Sequence, residues 1–491
     1  MTVKHRGLVF ILDGLGDRPS AALGGRTPLQ AADTPRLDRL ARRGCGLMDP
    51  LTPGKTVDTH TGVGMLFGLT AADGARLRRG PVEAAGVGMD AQPGDIFLRA
   101  NFAHVEEVAG AGAGAAAGRL RIIDRRAGRI REGVDELCAA LQALEVGDRS
   151  DAITAALHPA TQHRAVARLR GRGCELSAQV TDTDPGGDAI ARGVLAAAPR
   201  DSSDGAADPA AQRDSADAAA APAAQRTADA INRLTARAFE ILRAHPLNAA
   251  RAARGLPVAN GLILRSAGAH RQLRSRLTAR GLKVAVVAGE TTVLGLGKLL
   301  GFHARSDPRF TSLPDTDLAA KLRAATDALA SHDLVFVHIK GTDTAAHDRN
   351  PRLKSAFIAR FDRALAALDL RRTVIGVCAD HATDSNTGEH NPDPVPVLLA
   401  IPGDDGGDDG AGDGVGDDTD GDGAGDSNVD RGDGFGDDGD GAGFGGGAGD
   451  DGAGDDDRNP GYNETDCATG PLGRITAETY LDRVLDALGA A

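Results

Sequence analysis

Aromatic side chains are scarce, 3% of the chain, and Trp is absent. Single-stranded nucleic acid is usually gripped by stacked rings, so a nucleic-acid partner is disfavoured. The five cysteines (Cys45, Cys138, Cys174, Cys378 and Cys467) are scattered without a CxxC pair. That argues against a disulfide framework or a zinc ribbon, and fits a reducing cytoplasm. No apolar run approaches the roughly 18 residues of a spanning helix, so no membrane partner is expected. The opening MTVKHRGLVFILDGLGD holds only a short apolar stretch before Asp13, too short for the core of a signal peptide.

Charge is unevenly spread. The net charge is -13, but residues 401–459 alone hold 20 Asp against 2 Arg. The remainder has 54 Lys and Arg against 49 Asp and Glu, so the folded part is mildly basic. Two segments read as low-complexity insertions: 199–228, rich in Ala, Asp, Ser and Pro, and 401–459, largely Gly and Asp. Neither can bury enough apolar surface to offset chain ordering, so both are expected to be disordered. Runs such as GDGAGD resemble calcium-binding repeats, yet lack the apolar residue each turn of a β-roll needs. A solvated acidic loop is the better reading. The tract 108–118 reads as a flexible Ala/Gly loop.

Elsewhere strands alternate with helices, and 491 residues suit two or three domains. GLVFIL (7–12), LVFVHI (334–339), VIGVCA (374–379) and VPVLLAI (395–401) are apolar runs of buried strands. Thr34-Pro35 opens a helix that Gly44 closes, and SAFIARFDRALAALDL is amphipathic. At the C-terminus Leu481, Val484, Leu485 and Leu488 share one helical face. This rhythm predicts an α/β fold with a mostly parallel sheet and helices on both faces. The Arg-rich middle predicts an inserted smaller domain at 78–275, interrupting a core made of 1–77 and 276–491.

Acidic and histidine residues gather beside the strands. Asp13 follows the first; Asp343 and His347 follow the second in HIKGTDTAAHD; Asp380 and His381 follow the third. His390 sits in the loop before VPVLLAI. Strand C-terminal ends in a parallel sheet share one edge, where ligands bind. Carboxylates and imidazoles there suit Mn²⁺, Zn²⁺ or Mg²⁺. Two such ions about 3.5–4 Å apart can clamp a phosphoryl group in transfer. Singly, such an aspartate is usually a helix cap or turn residue, and His347 is more often a loop histidine than a ligand. The Gly-rich stretch 52–68 offers Thr56, Thr59 and Thr61 as hydroxyl nucleophiles before an apolar helix, although one of them could simply cap it.

These motifs together resemble the alkaline phosphatase superfamily, and more narrowly the archaeal-type cofactor-independent phosphoglycerate mutases. The resemblance runs from LDGLGDRP (12–19) through RGPVEAAG (79–86), IIDRRAGRI (122–130), TDTDP (181–185), ANGLILRSAG (259–268) and HIKGTDTAAHD (338–348) to NETDCATGPLGRITAE (463–478). It implies an alkaline-phosphatase-like core and two divalent ions, Mn²⁺ foremost, with Mg²⁺, Zn²⁺ or Co²⁺ as alternatives. It implies no need for 2,3-bisphosphoglycerate. One ion is expected on Asp343, His347 and His390. The other is expected on Asp13, Asp380, His381 and a nucleophilic hydroxyl. The family's nucleophile is a serine in Gly-Ser-Asp, nine positions before a glycine. Counting back from Gly68 gives Thr59, in Asp58-Thr59-His60. Thr61 is its rival.

The resemblance further implies phosphoglycerate binding by Arg125, Arg164, Arg265 and Lys340, with Arg129, His163 and Arg79 as further candidates. The expected activity is isomerisation of 2- and 3-phosphoglycerate in glycolysis through a phosphothreonine. A phosphatase or a phosphomutase for another metabolite on the same scaffold remains open, as does a non-catalytic acidic interaction protein. Oligomeric state is not implied.

Overall fold

The computed structural model describes residues 3–75, 77–107, 120–148, 151–184, 217–270, 273–368, 373–402 and 461–490. The tract 108–118, residues 199–216 and 403–459 lie outside them.

The first two strands are β1 (Arg6–Leu12) and β2 (Cys45–Asp49). A middle group follows: β3 (Ile96–Glu107), β4 (Leu120–Asp124), β5 (Leu144–Glu145), β6 (Ala152–Pro159), β7 (Arg164–Arg172) and β8 (Gly261–Ala269). Next come β9 (Val284–Val287), β10 (His303–Arg305), β11 (Leu334–Ile339) and β12 (Thr373–Cys378). The last are β13 (Ala382–Asp384), β14 (Glu389–Asn391), β15 (Val395–Ala400) and β16 (Gly473–Thr476).

One sheet has eight strands in the order β10-β9-β11-β1-β12-β15-β2-β16. Its centre is parallel. β1 pairs β11 with Gly7 beside Leu334 and pairs β12 with Gly7 beside Val374. Leu8 through Leu12 are fully buried, as a strand covered on both faces requires. β15 runs antiparallel to β12 and to β2. The start of β15 therefore lies at the edge where β1, β11 and β12 end. The terminal helix Ala477–Leu488 buries Leu481, Val484, Leu485 and Leu488 in this core. Each such side chain contributes about 1.5–3 kcal/mol.

The second sheet is antiparallel, ordered β4-β3-β7-β6-β5, with β8 also on β3. All its strands come from residues 96–269, and it has its own apolar core. Both sheets lie in one compact unit.

Three local readings need correction. Residues 217–228 are not a disordered insertion but the start of the helix Asp217–Arg243. Alanine is the best helix former, and Thr227 and Ala228 are small enough to be fully buried there. His390 is not in a loop; it lies on β14, opposite Thr383 of β13. Finally, the Thr34 side chain does not cap the helix Pro35–Ala41. Asp362 accepts from the N–H groups of Arg36 and Leu37 instead, at 3.0 and 2.7 Å.

Candidate active site

The parallel register brings the acidic loops to one level. Ile11 lies beside both His338 and Cys378, so Asp13 leaves β1 where Lys340 leaves β11 and Asp380 leaves β12. The Asp13 N–H donates to the Ile339 carbonyl at 3.0 Å. Asp343 and His347 share a face of the helix Gly341–His347. The β13–β14 hairpin brings His390 back to the same edge.

Three overlapping groups of atoms that could hold a metal ion result. Asp343 Oδ1 lies 3.4 Å from His347 Nε2 and 3.7 Å from His390 Nε2, and those two nitrogens are 3.2 Å apart. The second group holds Asp13, Asp343 and His381, with Asp380 beside it. His381 Nε2 is 3.2 Å from Asp13 Oδ1 and 3.4 Å from Asp380 Oδ2. Thr59 Oγ1 stands 3.3 Å from the same nitrogen.

The tautomers suit ligation. His347 Nδ1–H donates to the Gly388 carbonyl at 2.7 Å, and His390 Nδ1–H to the Val57 carbonyl at 3.1 Å. His381 Nδ1–H donates to Thr383 Oγ1 at 3.1 Å, and that hydroxyl donates to Asp343 Oδ1 at 2.9 Å. Each ring thus aims Nε2 at the carboxylates, the usual way a protein fixes histidine ligands.

Electrostatics give the same demand for cations. Burial, with the nearby Asp13 charge, pushes Asp380 up to about 6. Burial works against a charged His381, yet Asp380 and Asp13 push it up to about 9. Asp13 is held well below the carboxylate range despite burial, by the Lys340 ammonium and the imidazoles of His338 and His381. Lys340 Nζ donates to Asp13 Oδ2 and to Asp343 Oδ2, both at 2.8 Å. Asp13 Oδ1 and Asp380 Oδ2 have no hydrogen-bond partner among the described residues, although both residues are fully buried. Buried carboxylate oxygens that share a single imidazole nitrogen are costly, so this donor set fits divalent cations.

Two glycines permit the closeness. A Cβ on Gly14 would lie 2.8 Å from Asp343 Oδ1, and φ there is +64°. A Cβ on Gly62 would stand 2.1 Å from the Asp380 carbonyl oxygen. Gly62 therefore lets the helix Thr59–Leu66 press its first turn against the acidic loop. Thr61 instead turns a methyl group toward Gly74, and Thr56 is exposed.

The arginines form a second cluster. Arg125 and Arg265 both donate to Asp184, at 3.0 and 3.1 Å. Arg164 lies 3.8 Å from Glu290. Arg79 and Arg99 flank the buried Glu83 at 3.5 and 3.6 Å. Glu290 joins this cluster to the acidic one: despite burial, Lys340, Arg164, His338 and Arg79 hold it below its ordinary value. His163 is buried, and burial with Arg164, Arg126 and Arg99 lowers it to about 4. Arg129 is exposed and takes no part in these ion pairs.

Sequence reasoning missed His338, Glu290, Arg99, Glu83 and His60. His338 Nε2 lies 3.0 Å from Asp13 Oδ2 and completes a third ligand group with Asp13 and Asp380. Its signal was a lone imidazole in a fully buried strand. Burial and the charge of Arg79 lower His60, the neighbour of Thr59, to about 4.

A mixed α/β protein with buried carboxylates and imidazoles at the end of a mostly parallel sheet, beside a hydroxyl and an arginine cluster, has the makings of a metal-assisted phosphoryl-transfer enzyme. Comparison narrows that class. A family model described as 2,3-bisphosphoglycerate-independent phosphoglycerate mutase matches residues 41–248. A mutase of that name from Ignicoccus hospitalis is 40% identical over 407 residues, covering 82% of this chain and 90% of its own. The one from Methanopyrus kandleri is 39% identical over 404 residues, covering 81% and 88%. The structure resembles the cofactor-independent phosphoglycerate mutase of Thermoplasma acidophilum, with a TM-score of 0.57, 27% identity and coverage of 99% and 100%. It also resembles a Pyrococcus horikoshii protein, with a TM-score of 0.68, 26% identity and coverage of 100% and 99%. The chain belongs to the 2,3-bisphosphoglycerate-independent phosphoglycerate mutase family.

Proposed function

We propose that this chain is an isomerase that interconverts 2-phosphoglycerate and 3-phosphoglycerate without added 2,3-bisphosphoglycerate, a reaction of glycolysis. The observation that carries the proposal is Thr59 Oγ1 at 3.3 Å from His381 Nε2, where the helix Thr59–Leu66 meets the acidic cluster. Asp343, His347 and His390 would hold one divalent ion, and Asp13, Asp380, His381 and Thr59 a second, with Mn²⁺ foremost. When bound, such ions neutralise charge on phosphoryl oxygens and lower the pKa of an adjacent hydroxyl.

Thr59 Oγ attacks phosphorus and gives up its proton, the bond from phosphorus to the glycerate oxygen breaks, and that oxygen takes up a proton; the return step reverses this. A phosphothreonine and glycerate result. Glycerate turns, its other hydroxyl attacks the phosphothreonine, and Thr59 Oγ leaves. Arg125, Arg164, Arg265 and Lys340 bind the phosphate and carboxylate, with His163, Arg129 and Arg79 as further candidates. Water must be excluded while glycerate turns, or hydrolysis competes. Residues 78–275 act as an inserted domain that closes on an alkaline-phosphatase-like core. Five free cysteines suit a cytoplasmic enzyme. Among the described residues no helix is long and apolar enough to cross a membrane.

The test is a coupled assay from 3-phosphoglycerate to phosphoenolpyruvate, with and without chelator. Product that stops with chelator and returns with Mn²⁺ supports the proposal. Release of phosphate without isomerised product would reassign the chain as a phosphatase.

A further inference from the structure

Lys354 is fully buried. It lies on the helix Pro351–Ala364, behind the acidic cluster. Its Nζ donates to the carbonyl oxygens of Gly14 at 2.7 Å, Thr383 at 3.0 Å and Gly16 at 3.4 Å, and to Asp17 Oδ2 at 2.8 Å. The three carbonyls belong to two loops that also pair directly, the Thr383 N–H donating to the Gly16 carbonyl at 2.9 Å, so the lysine braces a junction the backbone begins. Gly14 follows Asp13, and its N–H donates to Asp380 Oδ1 at 3.2 Å. Thr383 aligns both His381 and Asp343 through its hydroxyl. One ammonium therefore grips, from behind, the two backbone positions that orient four of the proposed ion ligands.

A buried ion pair alone is weak evidence for stability. If charge neutralisation were all that mattered here, Asp17 would suffice as partner. The three carbonyl contacts are what the ion pair leaves unexplained. A compact ammonium with tetrahedrally disposed donors suits carbonyls converging from different directions better than a planar guanidinium fork does.

We propose that Lys354 is a positioning residue that fixes the spacing of the Asp13–Gly16 and Asp380–Thr383 loops, and so sets the affinity for the divalent ions. This rests on the ion-binding reading above, since Lys354 touches no ligand atom. Histidine-orienting groups one layer behind a ligand typically change metal affinity by about 10- to 100-fold when removed, and a similar loss is expected here.

The experiment titrates Mn²⁺ into the purified full-length chain, reading free Mn²⁺ by its paramagnetic resonance, alongside thermal melts. Lys354→Met is expected to melt early and to bind Mn²⁺ about 10- to 100-fold more weakly. The double variant D17N/K354M removes the stranded carboxylate charge. It is expected to regain much of the melting temperature while its Mn²⁺ binding stays weak. Asp17→Asn alone keeps the lysine on its carbonyls, and is expected to bind Mn²⁺ like the wild type. Should Lys354→Met fail to fold, the double variant and Asp17→Asn still decide the matter. Wild-type Mn²⁺ affinity in the double variant would overturn the proposal, as would an equal loss in Asp17→Asn. If the wild-type chain itself binds no Mn²⁺, the ion-binding reading fails first, and the role of Lys354 falls with it.

Discussion

The acidic cluster and the arginine cluster are built in opposite ways. The first has buried carboxylates and is cross-braced, with only His347 at its rim as exposed as the arginines, at 43%. Asp13, Asp343, Asp380 and His381 are all at most 1% exposed, and three histidines are each fixed by a hydrogen bond on Nδ1. The second is looser. The side chains of Arg265, Arg164 and Arg125 are 41, 33 and 21% exposed and lean on carboxylates. A site that holds small cations needs fixed donors. A site that holds a substrate which turns over between two attachments needs charge that can regroup. Under the proposed function, the fixed donors lie where charge would develop in the reaction, which is where preorganised groups do most for a transition state.

The sharpest way to break the comparison is at the joint between the clusters. Thr59→Ala should reduce turnover by at least about 10³-fold, as loss of a nucleophile does elsewhere, whereas Thr61→Ala should turn over like the wild type in the same coupled assay. A reversal would move the nucleophile one helical step away from the acidic cluster. Next in size is the rigid cluster itself. Asp343→Asn should weaken Mn²⁺ binding by at least about 10- to 100-fold, the loss usual even for groups behind a ligand. Dialysis-based ion titration checks it.

The looser cluster should respond differently. Arg164→Ala or Arg265→Ala removes a charge-assisted contact worth about 1.5–3 kcal/mol, so KM should rise by roughly 10- to 100-fold. Steady-state kinetics should show kcat changing much less. A fall in kcat at constant KM would mean that these arginines act on the reacting phosphoryl group instead.

The smallest effect concerns pH. His163 has its folded value lowered from 6.5 to about 4, so the folded chain binds its proton less readily than the unfolded chain. Stability from the neutral ring is therefore complete above 6.5 and is lost as pH falls toward 4. His163→Gln should flatten that acid limb in denaturant titrations taken across the window. An unchanged slope would assign the limb to other groups, with His60 the first alternative because it too is lowered to about 4.

The same contrast governs what could be read from the residues alone. Asp13, Asp343, Asp380 and His381 were legible because apolar runs announce buried strands, and a parallel sheet collects strand ends at one edge. The antiparallel course of β15 was not visible in the apolar run VPVLLAI, nor was the hairpin that carries His390, because strand direction is set by pairing partners far away in the chain. His338 escaped because a buried strand histidine looks like a core residue until its neighbour across the sheet is known. Arg99 and Glu83 escaped for a related reason. Each is unremarkable in its own segment, and only the packing of the helix Arg79–Val87 near β3 makes them partners. Residues 217–228 were misread because alanine-rich composition signals disorder and helix alike, and burial against the second core decides between them.

The proposed function stands or falls with two divalent cations at the edge of the parallel sheet beside Thr59. Anomalous scattering from crystals soaked in manganese tests it most directly. The account predicts two peaks, one among Asp343, His347 and His390 and one among Asp13, Asp380, His381 and Thr59. A well-ordered map with no peak among these residues would contradict it.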